Sequence, residues 1–196
     1  MRNYLLLLTF FSISCFGQRD IVERQKHQFE TANKSLSEKR SLSEILICYK
    51  SAYLVDTESE IGKICLAKHD SIRPILRNQL MKKIIGKWKL ESIGSNWGME
   101  SKSDEIIVIT ENSISFYKYD DKSKTTTLSR NQKIIYSNTI ALMVGYSELV
   151  FDDKTLWAFF LNSDGNLNLE NTGEITTEGI MHSVCGNTEM VYKRLE

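Results

Sequence analysis

Proline is almost missing from this chain. Pro74 is the single one in 196 residues, so Pro-rich linkers and polyproline segments are excluded. An excess of one charge is missing too. The 25 Lys and Arg match 25 Asp and Glu, which rules out nucleic-acid binding by bulk basic charge. None of the four cysteines forms a Cys-x-x-Cys pair, so nothing supports thioredoxin-like redox chemistry. No apolar run reaches the roughly 20 residues that a membrane-spanning helix needs, and the mature chain is expected to have no transmembrane span. A Gly-rich phosphate loop with its lysine is absent. Gly145-Tyr146-Ser147-Glu148 fails the nucleophile-elbow pattern because Leu149 follows. What remains is 41% hydrophobic and 26% charged, the composition of an ordinary globular protein.

The first 17 residues read as a secretory signal peptide. Arg2 supplies the positive end, Tyr4 to Ile13 the apolar stretch, and Ser14-Cys15-Phe16-Gly17 the small-residue exit before Gln18. Ser12-Ile13-Ser14-Cys15 also resembles a bacterial lipoprotein box, which would lipidate Cys15, although Ser12 stands where a large aliphatic residue is usual. Both readings predict export, to the periplasm, the outer membrane or the exterior. Cys48, Cys65 and Cys185 then remain, an odd number that leaves at least one free thiol in a monomer.

Past the leader, the chain divides near residue 85. Residues 19–84 hold 13 cations and 9 carboxylates, a net of +4, whereas residues 85–196 hold 11 and 16, a net of −5. The first part reads as helices. Ser41-Leu42-Ser43-Glu44 is a capping box, and Leu42, Ile45, Leu46, Tyr49, Ala52 and Tyr53 follow at helical spacing. Thr57-Glu58-Ser59-Glu60 is a second such box, opening a helix with Ile61, Ile64, Cys65 and Lys68. Ile21 to Leu36 predicts an earlier, more polar helix. Pro74 predicts a break or kink near 70–73. Helices flanking Thr57 as antiparallel neighbours would bring Cys48 and Cys65 to similar heights, which makes them candidates for a disulfide. His27 and His69 fall on polar faces and are expected in solvent.

The stretch from Lys26 to about Ser59 resembles one tetratricopeptide repeat. Phe29, Ala32-Asn33, Leu36, Ile45, Tyr49 and Ala52 stand at its characteristic positions, and Thr57 replaces its usual proline. One repeat cannot bury its own face, so residues 18–84 are expected to form a helical hairpin layer leaning on the rest of the chain.

The second part reads as short strands over 86–93, 105–110, 113–119, 132–136, 139–144, 148–151, 156–161, 166–169 and 189–195. The turn signals are Glu111-Asn112, Ser137-Asn138 and Ser163-Asp164-Gly165. Strands this short and evenly spaced predict an antiparallel barrel or sandwich. Leu156 to Leu161 does not alternate, so both faces of that strand should be covered.

Gly86-Lys87-Trp88 resembles the Gly-x-Trp that opens the first strand of lipocalin-like barrels. Met190-Val191-Tyr192-Lys193-Arg194-Leu195 is similar to their last strand. The resemblance covers roughly residues 82–196. It implies an α+β protein, with an N-terminal α-helical hairpin layer packed on a C-terminal antiparallel lipocalin-like β-barrel over 85–196. It also implies that Arg194 lies across a buried Trp88, with the first and last strands paired.

No catalytic constellation stands out. Asp120-Asp121 and Asp152-Asp153 read as turn residues, because neighbours on a strand point to opposite faces. His182-Ser183-Val184-Cys185 offers two ligand types where zinc needs three or four. The expectation is a non-enzymatic exported protein without a cofactor or metal. One form binds a small hydrophobic ligand inside the barrel, lined by Trp97, Phe116, Phe151, Trp157 and Phe159. The alternative is a structural or interaction module of the bacterial envelope whose barrel is filled and whose surface meets a protein partner.

Overall fold

The computed structural model of the chain describes residues 2–95, 104–120, 122–138, 140, 146–183 and 186–195, with side chains from residue 20 onward. Within these residues the protein is α+β. Three helices precede nine strands of one antiparallel sheet. Compactness divides the chain between Leu76 and Arg77, rather than at the expected 84/85 boundary. The division falls inside the third helix, so that helix's last turns belong with the sheet.

In the first unit, α1 is Arg2–Ser37, α2 is Leu42–Val55, and α3 is Glu60–Ile84, which continues into the second unit. Helix α1 runs through the expected cleavage point at Gly17. The Ser41 capping box forms as the sequence implies: Ser41 Oγ accepts from the Glu44 amide at 3.3 Å, and the Glu44 carboxylate accepts from the Ser41 amide at 3.3 Å. The second cap sits two residues later than expected, because Ser59 Oγ accepts from the Gly62 amide at 2.9 Å. No break occurs at Pro74, which lies inside the continuous helix Glu60–Ile84. Pro74 and Asp70 both lie on the exposed face of α3. The carbonyl that proline leaves without a donor therefore falls where water can satisfy it.

Gln25 ties the three helices together. It is buried; its amide donates to the carbonyls of Ala52 at 3.1 Å and Asp56 at 2.7 Å, and its oxygen accepts from Ser59 Oγ at 2.7 Å. One α1 side chain thus satisfies the open end of α2 and orients the cap of α3. Tyr49 fills the space between helices, with its hydroxyl donating to Asn33 Oδ1 at 2.9 Å and its ring 6.5 Å from that of Phe29.

The second unit starts with the Arg77–Ile84 end of α3 and continues into the sheet. Its strands are β1 Gly86–Ser95, β2 Glu105–Ile109, β3 Ser113–Asp120, β4 Thr125–Lys133, β5 Glu148–Val150, β6 Thr155–Leu161, β7 Leu167–Thr176, β8 Gly179–His182 and β9 Thr188–Arg194. The order is β4-β3-β2-β1-β9-β7-β6-β5, and β8 pairs with β7. This is a curled half-barrel and not the closed barrel expected. Strands β4 and β5 stand at opposite ends of the order. Among the described residues the backbone pairing between those ends is one bridge, Tyr136 to Leu149, flanked by hydrogen bonds from the Val150 amide to the Ile135 carbonyl and from the Ser137 amide to the Glu148 carbonyl. At three residues, β5 is too short to carry a full closing ladder.

Two further expectations change. The strand placed at 132–136 is the end of a longer one, β4, which begins at Thr125. Strand β8 went unpredicted. The strand expected over 139–144 lies almost wholly outside the described residues.

Candidate functional site

Four of the five aromatic residues expected to line a cavity converge in the core of the sheet unit. Phe151, just past β5, is the hub. Its ring centroid lies 6.1 Å from Phe116 of β3, 5.9 Å from Trp157 and 6.4 Å from Phe159, both of β6. Phe116, Phe151 and Phe159 are each at most 3% exposed, and Trp157 is half-buried. Trp97 lies outside the described residues. The guanidinium of Arg130 caps the cluster, 4.3 Å from the Phe116 centroid and 5.0 Å from Phe151. Contacts of this kind between a cation and two ring faces are worth roughly 0.5–2 kcal/mol each. Asp153 sits 3.8 Å from the same guanidinium. Phe151 thus packs against each of the other three rings.

The Gly86, Trp88 and Arg194 signature forms a second, well-defined arrangement at the end of α3. Trp88 is 1% exposed, and its indole N–H donates to the Ile84 carbonyl at 2.7 Å. Trp88 and Arg194 are partners in the β1–β9 ladder. The Arg194 guanidinium lies 4.5 Å from the indole centroid and donates to the carbonyls of Lys83 and Ile85. The last two carbonyls of α3, Lys83 and Ile84, and that of the following Ile85 are thus satisfied by one indole and one guanidinium. Gly86 has φ +140°, and a Cβ there would stand 3.1 Å from Arg194 Nη1. Conformation and close approach both call for glycine at this point.

Beside it, Tyr192 is fully buried, and its hydroxyl donates to Glu105 Oε1 at 2.6 Å. Burial, reinforced by the Glu105 charge, pushes the phenol upward, so it stays a donor. On the other side of α3's end, Arg77 donates to the carbonyls of Ser137 at 2.6 Å and Tyr146 at 3.0 Å, with its guanidinium 4.3 Å from the Tyr136 centroid.

The expected Cys48–Cys65 bridge is not formed; both are free thiols. Equal height along two helices does not mean a shared face. Cys48 turns toward α1, where its sulfur lies 3.9 Å from Ser35 Oγ, while Cys65 is fully buried. Burial pushes the Cys65 thiol up to about 11, which keeps it unreactive. Cys185 lies outside the described residues, and His182 is exposed on β8. Among the described residues no group of His, Cys, Asp and Glu could hold a metal ion. Asp120 and Asp153 act as turn residues, since Asp120 accepts from the Lys122 and Ser123 amides and Asp153 from the Thr155 amide.

No protein-family model matches the chain, and no curated protein matches it. Its chemistry must therefore be read from its own residues.

His69 departs most from expectation. It is 1% exposed on α3 rather than solvated. Its Nδ1 lies 3.1 Å from Asp70 Oδ1, while Nε2 is buried with no hydrogen-bond partner. Spacing could have revealed it, because Gly62, Cys65, His69, Ile72, Leu76 and Leu80 form one buried stripe at three- and four-residue steps. Burial lowers the His69 pKa most strongly. Arg73 and Lys50 add to that shift, and Asp70 opposes it. A histidine held below its unfolded value of about 6.5 keeps its full stability above that pH and loses it as pH falls below. The urea midpoint of the helical unit's transition should accordingly decline from about pH 6.5 downward. His69→Gln should flatten that decline, and an unchanged slope in the variant would exclude His69 as its source.

Proposed function

We propose that the protein is a non-enzymatic, exported interaction module, with a sheet interior that is filled and a surface that does the recognising. The observation that supports this reading is the closure of Phe116, Phe151, Trp157 and Phe159 on one another. A small apolar ligand entering there would have to displace a ring already in contact with its neighbours, at the cost of core packing. The Gly86, Trp88 and Arg194 arrangement supports reading the sheet unit as a lipocalin-like relative opened along one side. The leader over residues 1–17 supports export, with lipidation of Cys15 as the other form of that address.

Titration with the apolar fluorophore N-phenyl-1-naphthylamine tests the filled interior. The expected result is weak, non-saturating signal with no quenching of tryptophan emission. Saturable one-to-one binding that quenches Trp157, and that Trp157→Leu weakens, would overturn it and make the protein a small-ligand carrier.

A further inference from the structure

We propose that the outer edge of β4 over Thr125–Ser129 is a docking site for an extended, acidic segment of a partner protein, which adds to the sheet as a further strand. This deepens the proposed function and rests on its claim that recognition takes place on the surface.

The first observation is an open edge. On one side β4 pairs with β3 from Thr125 to Lys133. On its other side no strand pairs with Thr125–Ser129 among the described residues, and all five of those residues are exposed. From Arg130 onward the edge is occupied: Arg130 approaches Asp153 at 3.8 Å, and Gln132 Oε1 accepts from the Asp152 amide at 2.9 Å.

The second observation is that this edge lacks protection. Sheet edges are ordinarily blunted by lysine, proline, a bulge or a covering segment, because their free N–H and C=O groups recruit any strand. Thr125-Thr126-Thr127-Leu128-Ser129 carries no charge and no proline, and four of its five residues are polar β-formers or small. The ladder's one irregularity is at Ser129, between the Phe116–Arg130 and Tyr117–Leu128 pairs, and it leaves Thr125–Leu128 in regular register. Leu128 is 54% exposed beside its ladder partner Tyr117, offering an apolar contact to an added strand.

The third observation chooses the occupant. Cations surround the edge. Lys118 opposes Thr127 in the ladder, and Lys122 leads into the strand. Lys118 and Lys122 are exposed and make no ion pair among the described residues. The one described carboxylate in the preceding turn, Asp120, is engaged with the Lys122 and Ser123 amides. A second copy of β4 would bring the same cations against each other. A strand bearing carboxylates answers them, while main-chain hydrogen bonds along the edge supply most of the affinity.

The test uses a fluorescein-labelled peptide of alternating valine and threonine with glutamates at each end, and a control with lysines in their place. Fluorescence anisotropy with the full protein should show saturable binding of the acidic peptide. The lysine control should bind about tenfold more weakly or worse, and so should Lys118→Glu/Lys122→Glu with the acidic peptide. Hydrogen exchange should slow in the segment spanning 125–129 when the acidic peptide is bound. Alternate amides of β4 face β3 and the open edge, so of Thr126→Pro and Thr127→Pro one should unfold the ladder. The other should keep the melting temperature and lose binding. Equal binding of both peptides, no binding of either, or unchanged exchange would overturn the proposal. So would a dimer whose 125–129 amides are already protected without peptide, since the occupant would then be a second copy. None of these results bears on the sheet interior, which the fluorophore titration decides separately.

Discussion

Trp88→Ala should lower unfolding stability by about 3–5 kcal/mol, the cost of truncating a fully buried tryptophan. More than volume is lost. The Ile84 carbonyl loses its donor, and the Arg194 guanidinium loses the ring beneath it while still bound to Lys83 and Ile85. Trp88→Phe separates these effects, because it keeps most of the apolar surface while removing the N–H and a small part of the ring volume. Its cost should be about 1–2 kcal/mol, in line with one orphaned buried acceptor and a modest cavity. Urea unfolding followed by far-UV circular dichroism measures both. A loss below about 1 kcal/mol in Trp88→Ala would mean that the end of α3 is held by other contacts.

Gly173→Ala should cost about 3 kcal/mol, combining a strained backbone with overpacking. Gly173 has φ +148°, and an added Cβ would stand 2.2 Å from the Met181 carbonyl oxygen and 2.9 Å from His182 Cα. Both are main-chain atoms of the paired strand β8, so no side-chain rotation relieves the clash. The neighbouring ladder is already irregular, shifting between Leu156 and Trp157. Gly94→Ala is the matched control, since nothing lies within 4 Å of a Cβ placed there and its φ is ordinary. The thermal midpoint should fall sharply in the first variant and stay within a degree or two of the parent in the second. Equal behaviour of the two would show that the β7–β8 hairpin yields freely.

How much of this was legible in the sequence follows from where each signal comes from. The Ser41 cap rests on local chemistry and appears in the chain as written; the Trp88–Arg194 pairing follows from the resemblance to lipocalin-like first and last strands, and the two are ladder partners. β4 was read too short because Thr125 to Arg130 has no apolar face; an exposed edge strand carries no alternation to read. The continuity of α3 through Pro74 depends on which face the proline occupies, which packing decides. Cys48 and Cys65 were matched by height, but their facing depends on the helices' rotation about their own axes. His69 was set aside as polar, although its place in the Cys65–Leu80 stripe marked it as interior. Phe116, Phe151, Trp157 and Phe159 cluster in the fold, and Trp97 lies outside the described residues. Whether they surround a space or fill one depends on side-chain contacts across strands far apart in sequence.

The position of β9 bears on when this protein can fold. Strands β1 to β4 form one run of neighbours and β5 to β7 another, each able to assemble as its own residues emerge. The ladders that join the two runs are β1 with β9 and β7 with β9, so the element bridging them is the last of the nine in sequence. Its pairing with β1 spans about a hundred residues of intervening chain, and contacts of such long range form late and slowly. Until Thr188–Arg194 is in place, the early strands lack their central neighbour and Arg194 is not there to close the end of α3. A chain synthesised from its N-terminus therefore stays incompletely folded almost to the end of β9. That delay leaves the half-built sheet with open edges for as long as it lasts.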